Sequence, residues 1–249
     1  GRYQHALEAT EITRQDCPDD PELKMDMVSC LLSLNRPMEA WEFIDARLKT
    51  NRNNSRETPP PLPQWSGQPL TGQPLLIWRE EGIGDEIRFA SLLKDFILKY
   101  GNNIVFECSS RLYEIFCRSF PEIEVRTEDI ENNDYQGFDF QLPLMSLLPH
   151  CWGSIEKSGA PPYLVPDPNR CQEWRHKLAE LGPEPKIGFA WTSSNKSWQK
   201  QPLLTELSDW LPILSGRKIH LINLQYDMTA SEVAAKAANA GISIYSFKT

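Results

Sequence analysis

The stretch Trp78-Arg79-Glu80-Glu81-Gly82-Ile83-Gly84-Asp85-Glu86-Ile87-Arg88-Phe89 is the most chemically informative part of the chain. It reads as the end of an apolar run, a glycine-containing turn, an acidic residue and the start of a helix. Gly82 and Gly84 permit positive φ and let a ligand approach the backbone closely. A helix beginning just beyond them would aim free N–H groups and partial positive charge into the same space. That combination suits a phosphate or a developing negative charge. Ile87 stands where the third glycine of a G-x-G-x-x-G dinucleotide fingerprint belongs, and the G-x-x-x-x-G-K-S/T phosphate loop is absent as well. Asp85 has two readings. It can cap the helix that follows, or it can stand at a cleft mouth and take a proton from an acceptor hydroxyl.

A second candidate is Trp191-Thr192-Ser193-Ser194-Asn195-Lys196-Ser197-Trp198, which follows a predicted strand at 186–191. The Thr192 and Ser193 hydroxyls can donate hydrogen bonds to a diphosphate, and the Lys196 ammonium can offset its charge. Lys200 is a rival for that role, and a solvated loop with an incidental lysine is the alternative. Gln225 leaves another predicted strand, either bordering a donor or merely ending the strand.

These residues need a scaffold. Leu75–Trp78, 104–108, a weaker segment around 123–125, and 138–141 read as strands. Helical patterns at 86–100 and 111–118 separate the first three. Gly101 is placed to end the first helix, and Ser110 to cap the second. The pattern restarts after helix 170–181, with strands at 186–191, 218–224 and 242–246 and helices at 203–215 and 229–240. Such alternation predicts parallel sheets flanked by helices. Three strands make a small lobe for such a fold, so the second lobe is expected to be truncated.

The first fifty residues differ. Gly1-Arg2-Tyr3 and Ala6-Leu7 align with Asn35-Arg36-Pro37 and Ala40-Trp41 at an offset of 34 residues, the period of tetratricopeptide repeats. Helices are expected near 2–15, 22–34 and 38–50, with Asp20 capping the second and Pro21 at its first position. The opening residues read as mid-domain sequence, so a fragment boundary is expected there. The expected organisation is helical repeats over 1–50, a linker over 51–67 built around Pro59-Pro60-Pro61-Leu62-Pro63, a first lobe over 68–182 and the beginning of a second over 183–249.

The run Gly82-x-Gly84-Asp85-x-Ile87-x-Phe89 resembles the opening loop of heptosyltransferase-like glycosyltransferases, family 9. Trp65-Ser66-Gly67-Gln68-Pro69-Leu70, Leu75-Leu76-Ile77-Trp78, Pro143-Leu144-Met145-Ser146-Leu147-Leu148-Pro149 and Pro162-Tyr163-Leu164 fit the same pattern, in the order found in bacterial proteins that place tetratricopeptide repeats before such a domain. The spacing from hydroxyls to Lys196 and on to Trp198 is also similar. The resemblance implies a GT-B-like pair of Rossmann-like lobes preceded by the helical segment. The first would hold the acceptor and the second, truncated here, the nucleotide-sugar donor. It implies an inverting hexosyl- or heptosyltransferase that needs neither metal nor cofactor. Asp85 would be the general base. Gly82, Gly84, Thr192, Ser193, Lys196 and Gln225 would line the donor or phosphate site, and a protein or glycan would accept the sugar. A protein partner could dock on the repeats.

Two departures stand out. The family's D-T/S-x-x-x-H-like donor segment does not occur before Thr249, and Arg79 replaces the residue usual before the acidic pair; the fragment alone is expected to lack activity. The alternatives are a non-catalytic interaction scaffold with a degenerate transferase domain, and a nucleotide-sugar epimerase.

Bulk properties set the remaining limits. A formal charge of -8 lacks the basic footprint of a duplex nucleic-acid binder. The six cysteines form neither a C-x-x-C pair nor a zinc pattern with the histidines, and read as reduced thiols of a cytoplasmic protein. No apolar run approaches the ~20 residues of a membrane helix.

Overall fold

The computed structural model describes residues 1–50, 59–128, 134–158, 162–192, 204–214, 216–225, 228–239 and 241–247. It divides into two compact units, Gly1–Asp167 and Pro168–Thr249. The division falls between residues 167 and 168, so the helix expected at 170–181 belongs to the second unit.

The first unit opens with α1 (Arg2–Asp16), α2 (Pro21–Ser33) and α3 (Pro37–Trp41), followed by a 3-10 turn at Ile44–Lys49. The Asp20 carboxylate caps α2 by accepting from the N–H groups of Glu22 and Leu23 at 2.8 and 3.2 Å, with Pro21 at the first helical position. Asn35, at φ 58°, turns the chain between α2 and α3. The expected third helix is thus short, and its second half is wound as 3-10.

The sheet of this unit contains β1 (Leu75–Trp78), β2 (Ile104–Cys108), β3 (Glu124–Thr127) and β4 (Phe140–Pro143). All pairings are parallel, in the order β3-β2-β1-β4. Strand order therefore reverses between β1 and β4. Side chains alternate along β1, so Leu75 and Ile77 enter the large core while Leu76 and Trp78 enter a smaller cluster with Val105. Helices α4 (Ile83–Ala90), α5 (Leu93–Tyr100), α6 (Tyr113–Ser119) and α7 (Leu148–Ser158) complete the unit. The large core includes Phe96, Phe106 and Phe116, and runs without a break into Leu7, Met27, Leu31 and Trp41 of the helical segment.

Two expectations need correction. Residues 59–67 are not a detached spacer. Gln64 forms a parallel bridge to Gln141 of β4, and Trp65 is buried among Phe96, Tyr100 and His150, with ring centroids 4.9–5.3 Å away. Residues 51–58 lie outside the described residues. The single helix expected at 86–100 is two helices. Between them the Leu92 N–H bonds to the Phe89 carbonyl, three residues back, at 3.0 Å. The Ile87 carbonyl accepts from the Tyr163 hydroxyl and the Arg88 carbonyl from Ser91 Oγ, so side chains compete for the helical ladder. Gly101, at φ 95°, ends α5 as expected, whereas α6 has no side-chain cap and begins after Leu112 rather than Ser110.

The second unit contains α8 (Pro168–Ala179), β5 (Lys186–Phe189), a 3-10 turn at Leu207–Trp210, α9 (Leu211–Leu214), β6 (His220–Asn223), α10 (Ala230–Asn239) and β7 (Ile244–Tyr245). Its parallel sheet has the order β5-β6-β7 over a core of Phe189, Trp191, Leu207, Leu221, Val233 and Ala237. Both units are α/β with parallel sheets. Among the described residues, no helix is long and apolar enough to cross a membrane.

Candidate functional site

The turn leaving β1 lies at the carboxyl end of the sheet beside the reversal of strand order, where open parallel sheets bind ligands. It places four carboxylates in seven residues: Glu80, Glu81, Asp85 and Glu86. The fold neutralises two of them. Glu80 is 1% exposed and accepts both arms of the Arg47 fork, from Nε at 2.8 Å and Nη2 at 2.6 Å. Its Oε1 also accepts the Met145 N–H at 2.8 Å. Glu86 is fully buried; its Oε2 accepts from Arg79 Nε at 3.0 Å and its Oε1 from the Ser109 N–H at 2.7 Å.

Arg79 is therefore a structural post. Besides Glu86 it reaches Glu128 at 2.6 Å and the Glu81 carbonyl at 3.1 Å. The guanidinium anchors the turn to α4 and to the exit of β3.

The other two carboxylates are left over. Glu81 and Asp85 are both half-buried. Among the described residues neither carboxylate takes part in a hydrogen bond or an ion pair. Burial raises the Glu81 carboxyl above the ordinary glutamate range, and the nearby charges of Glu80 and Asp85 push it the same way. Asp85 is the third residue of α4, and the cap position belongs to Gly82, which makes no side-chain bond. The capping reading of Asp85 is thus set aside.

The positive φ in this turn belongs to Glu81, at 61°, not to the glycines; Gly82 is extended at φ -88°. A Cβ built on Gly82 or Gly84 meets no described atom within 4 Å. Neither a left-handed φ nor a packing contact with a described atom requires glycine at 84, although glycine inside a helix costs about 1 kcal/mol relative to alanine. The backbone at the start of α4 is open to approach. The surrounding carboxylates make that approach better suited to a neutral hydroxyl than to a phosphate.

Behind the turn, the Tyr163 hydroxyl donates to the Ile87 carbonyl, and its ring stacks on Phe120 at 5.7 Å. Burial, reinforced by Glu86, pushes that phenol up to about 12, so it serves as a neutral donor holding α4.

In the second unit, Gln225 is 5% exposed and brackets the loop after β5. Its Oε1 accepts from the Trp191 and Thr192 N–H groups, each at 3.3 Å, and its Nε2 donates to the Thr192 carbonyl at 3.1 Å. The amide thus binds its own backbone and sets where Thr192 sits. Ser193, Lys196 and Lys200 lie outside the described residues.

This chain is similar to Protein FlbA of Caulobacter vibrioides. The two are 29% identical over 266 aligned positions, which cover 98% of this chain. The chain spans 44% of that relative's length. No protein-family model matches the sequence, and no solved structure matches it.

Glu81 was not singled out in the sequence. The available signal was a charged residue directly before the first turn glycine, at the place where the chain must reverse from strand into helix. Arg47 was missed as well, because its partner lies 33 residues away in another element.

Proposed function

We propose that this chain belongs to a nucleotide-sugar glycosyltransferase with a GT-B-like pair of lobes behind tetratricopeptide-type helices, and that the turn after β1 is where the acceptor is activated. The observation that carries this reading is the pair of unpartnered carboxylates, Glu81 and Asp85, at the strand-order reversal beside an open helix start. One of them takes the proton of an acceptor hydroxyl. The oxygen attacks the anomeric carbon, and the nucleoside diphosphate departs with inversion. Burial and the charges of Glu80 and Asp85 hold Glu81 above the ordinary glutamate range, which suits a base. Thr192, Ser193 and Lys196 would meet the departing diphosphate, with Gln225 fixing Thr192.

The full-length protein should transfer sugar from one member of a nucleotide-sugar panel, with the product identified by mass spectrometry. Asp85→Asn and Glu81→Gln should separate the roles. The variant lacking the true base should lose at least about 10²-fold in kcat. Transfer at the parental rate by both variants would remove this turn from the mechanism.

One observation favours the alternative, a binding scaffold. At the carboxyl ends of β1 and β4, the protein's own Arg47–Glu80 pair bonds to Ser146 and to the Met145 N–H. If the full-length protein binds no nucleotide sugar yet retains a protein partner, the scaffold reading stands in its place.

A further inference from the structure

The guanidinium of Arg47 comes from the 3-10 turn that ends the helical segment, yet it lies at the strand-order reversal of the sheet. All five of its N–H donors find partners. Nε and Nη2 fork onto Glu80, Nη2 also reaches Ser146 Oγ at 3.0 Å, and Nη1 reaches the Ile44 carbonyl at 2.9 Å and Asp45 Oδ1 at 3.0 Å. Ser146 in turn donates to Asp45 at 2.5 Å. The cluster thus joins the helical segment, the exit of β1 and the exit of β4. Both side chains of the central pair are nearly inaccessible, at 5% and 1% exposure.

A buried pair of this kind adds little net stability compared with apolar residues of similar volume. Its distinctive effect is geometric, because a forked guanidinium admits one orientation of its carboxylate. The next residue is Glu81 in the left-handed region, followed by Gly82 at the start of α4. We propose that Arg47 is a positioning residue through which the helical segment sets the conformation of the turn carrying Glu81 and Asp85. A partner that strains or shifts the 3-10 turn would then act on the turn through one side chain. The importance of that turn for sugar transfer rests on the function proposed above; the mechanical coupling does not.

The test uses the whole chain labelled with ¹⁵N-glycine, with the Gly82 and Gly84 amide signals assigned by single alanine substitutions. Melting temperature is measured in parallel. Arg47→Met should lower the melting temperature and cause loss or splitting of both signals. Arg47→Met combined with Glu80→Met should regain most of the melting temperature, since an apolar pair replaces the ionic one, while the signals stay split. If the single variant does not fold, the double variant carries the same comparison against the parent. Signals that return with stability in the double variant would reduce Arg47 to a packing role and overturn the proposal. So would signals unmoved in a folded Arg47→Met. An absence of sugar transfer by the full-length parent would count against the proposed function alone, because the amide signals are read without substrate.

Discussion

Replacing Glu81 by glycine tests whether this residue is kept at the expense of stability. A non-glycine residue in the left-handed region costs about 1–2 kcal/mol, and glycine at 81 recovers that. Glycine also loses more chain entropy on folding, about 0.5–1 kcal/mol. The backbone balance is therefore roughly 0–1.5 kcal/mol in favour of the variant. Charge adds to it at neutral pH. The Glu81 carboxyl is raised in the folded state, mainly by burial and then by Glu80 and Asp85. The folded chain therefore holds that proton more tightly than the unfolded chain does. The resulting stability is fully present below the unfolded value of about 4.3 and is lost as pH rises through the folded value. As pH rises the Glu81 side chain therefore becomes a liability that glycine removes, and towards pH 4 the gain shrinks to the backbone part. The assay is thermal unfolding by circular dichroism at pH 7 and pH 4, following the transition of the first unit. At pH 7 the midpoint should hold or rise, by up to about 6 °C from the backbone part alone at roughly 2–4 °C per kcal/mol. Glu80→Gln, by contrast, leaves Arg47 buried beside Asp45 alone. It should cost about 3 kcal/mol, or roughly 6–12 °C. A fall for Glu81→Gly comparable to that of Glu80→Gln would refute the reasoning, because it would mean the Glu81 side chain itself holds the turn.

Two further outcomes follow from the packing. Gln225→Ala deletes the bracket on Trp191 and Thr192 and should cost the second unit about 1–2 kcal/mol, with faster amide exchange at both residues; unchanged exchange would show that the loop is set elsewhere. Cys108 and Cys151 are pushed up to about 12, chiefly by burial, whereas Cys17 is exposed. At pH 8 a thiol reagent should label Cys17 promptly and reach the other two only on unfolding. Prompt native-state labelling of Cys108 would contradict the buried placement.

The elements that the sequence made legible are those whose signals are local. Leu75–Trp78 and 104–108 are short apolar runs bounded by turn residues, and both appear as strands with those bounds. Asp20-Pro21 starts α2 and Gly101 ends α5 because capping depends on a few neighbouring residues. Where a distant group intervenes, local reading falters. The helix at 86–100 breaks beside the Ile87 carbonyl, which the Tyr163 hydroxyl takes from 76 residues away. Residues 59–67 look like a spacer by composition, but Trp65 is drawn into the core by aromatic partners that no local pattern announces.

The same contrast governs the candidate site. Sequence alone placed a carboxylate-rich, glycine-containing turn between a buried strand and a helix, because strand periodicity, turn chemistry and helix propensity are properties of adjacent residues. It could not tell Glu80, Glu81, Asp85 and Glu86 apart. Only the tertiary structure did so, by bringing Arg47 and Arg79 onto the first and last of them. The charge state and freedom of a carboxylate depend on what lies within a few ångströms, and in a folded chain those neighbours come from anywhere.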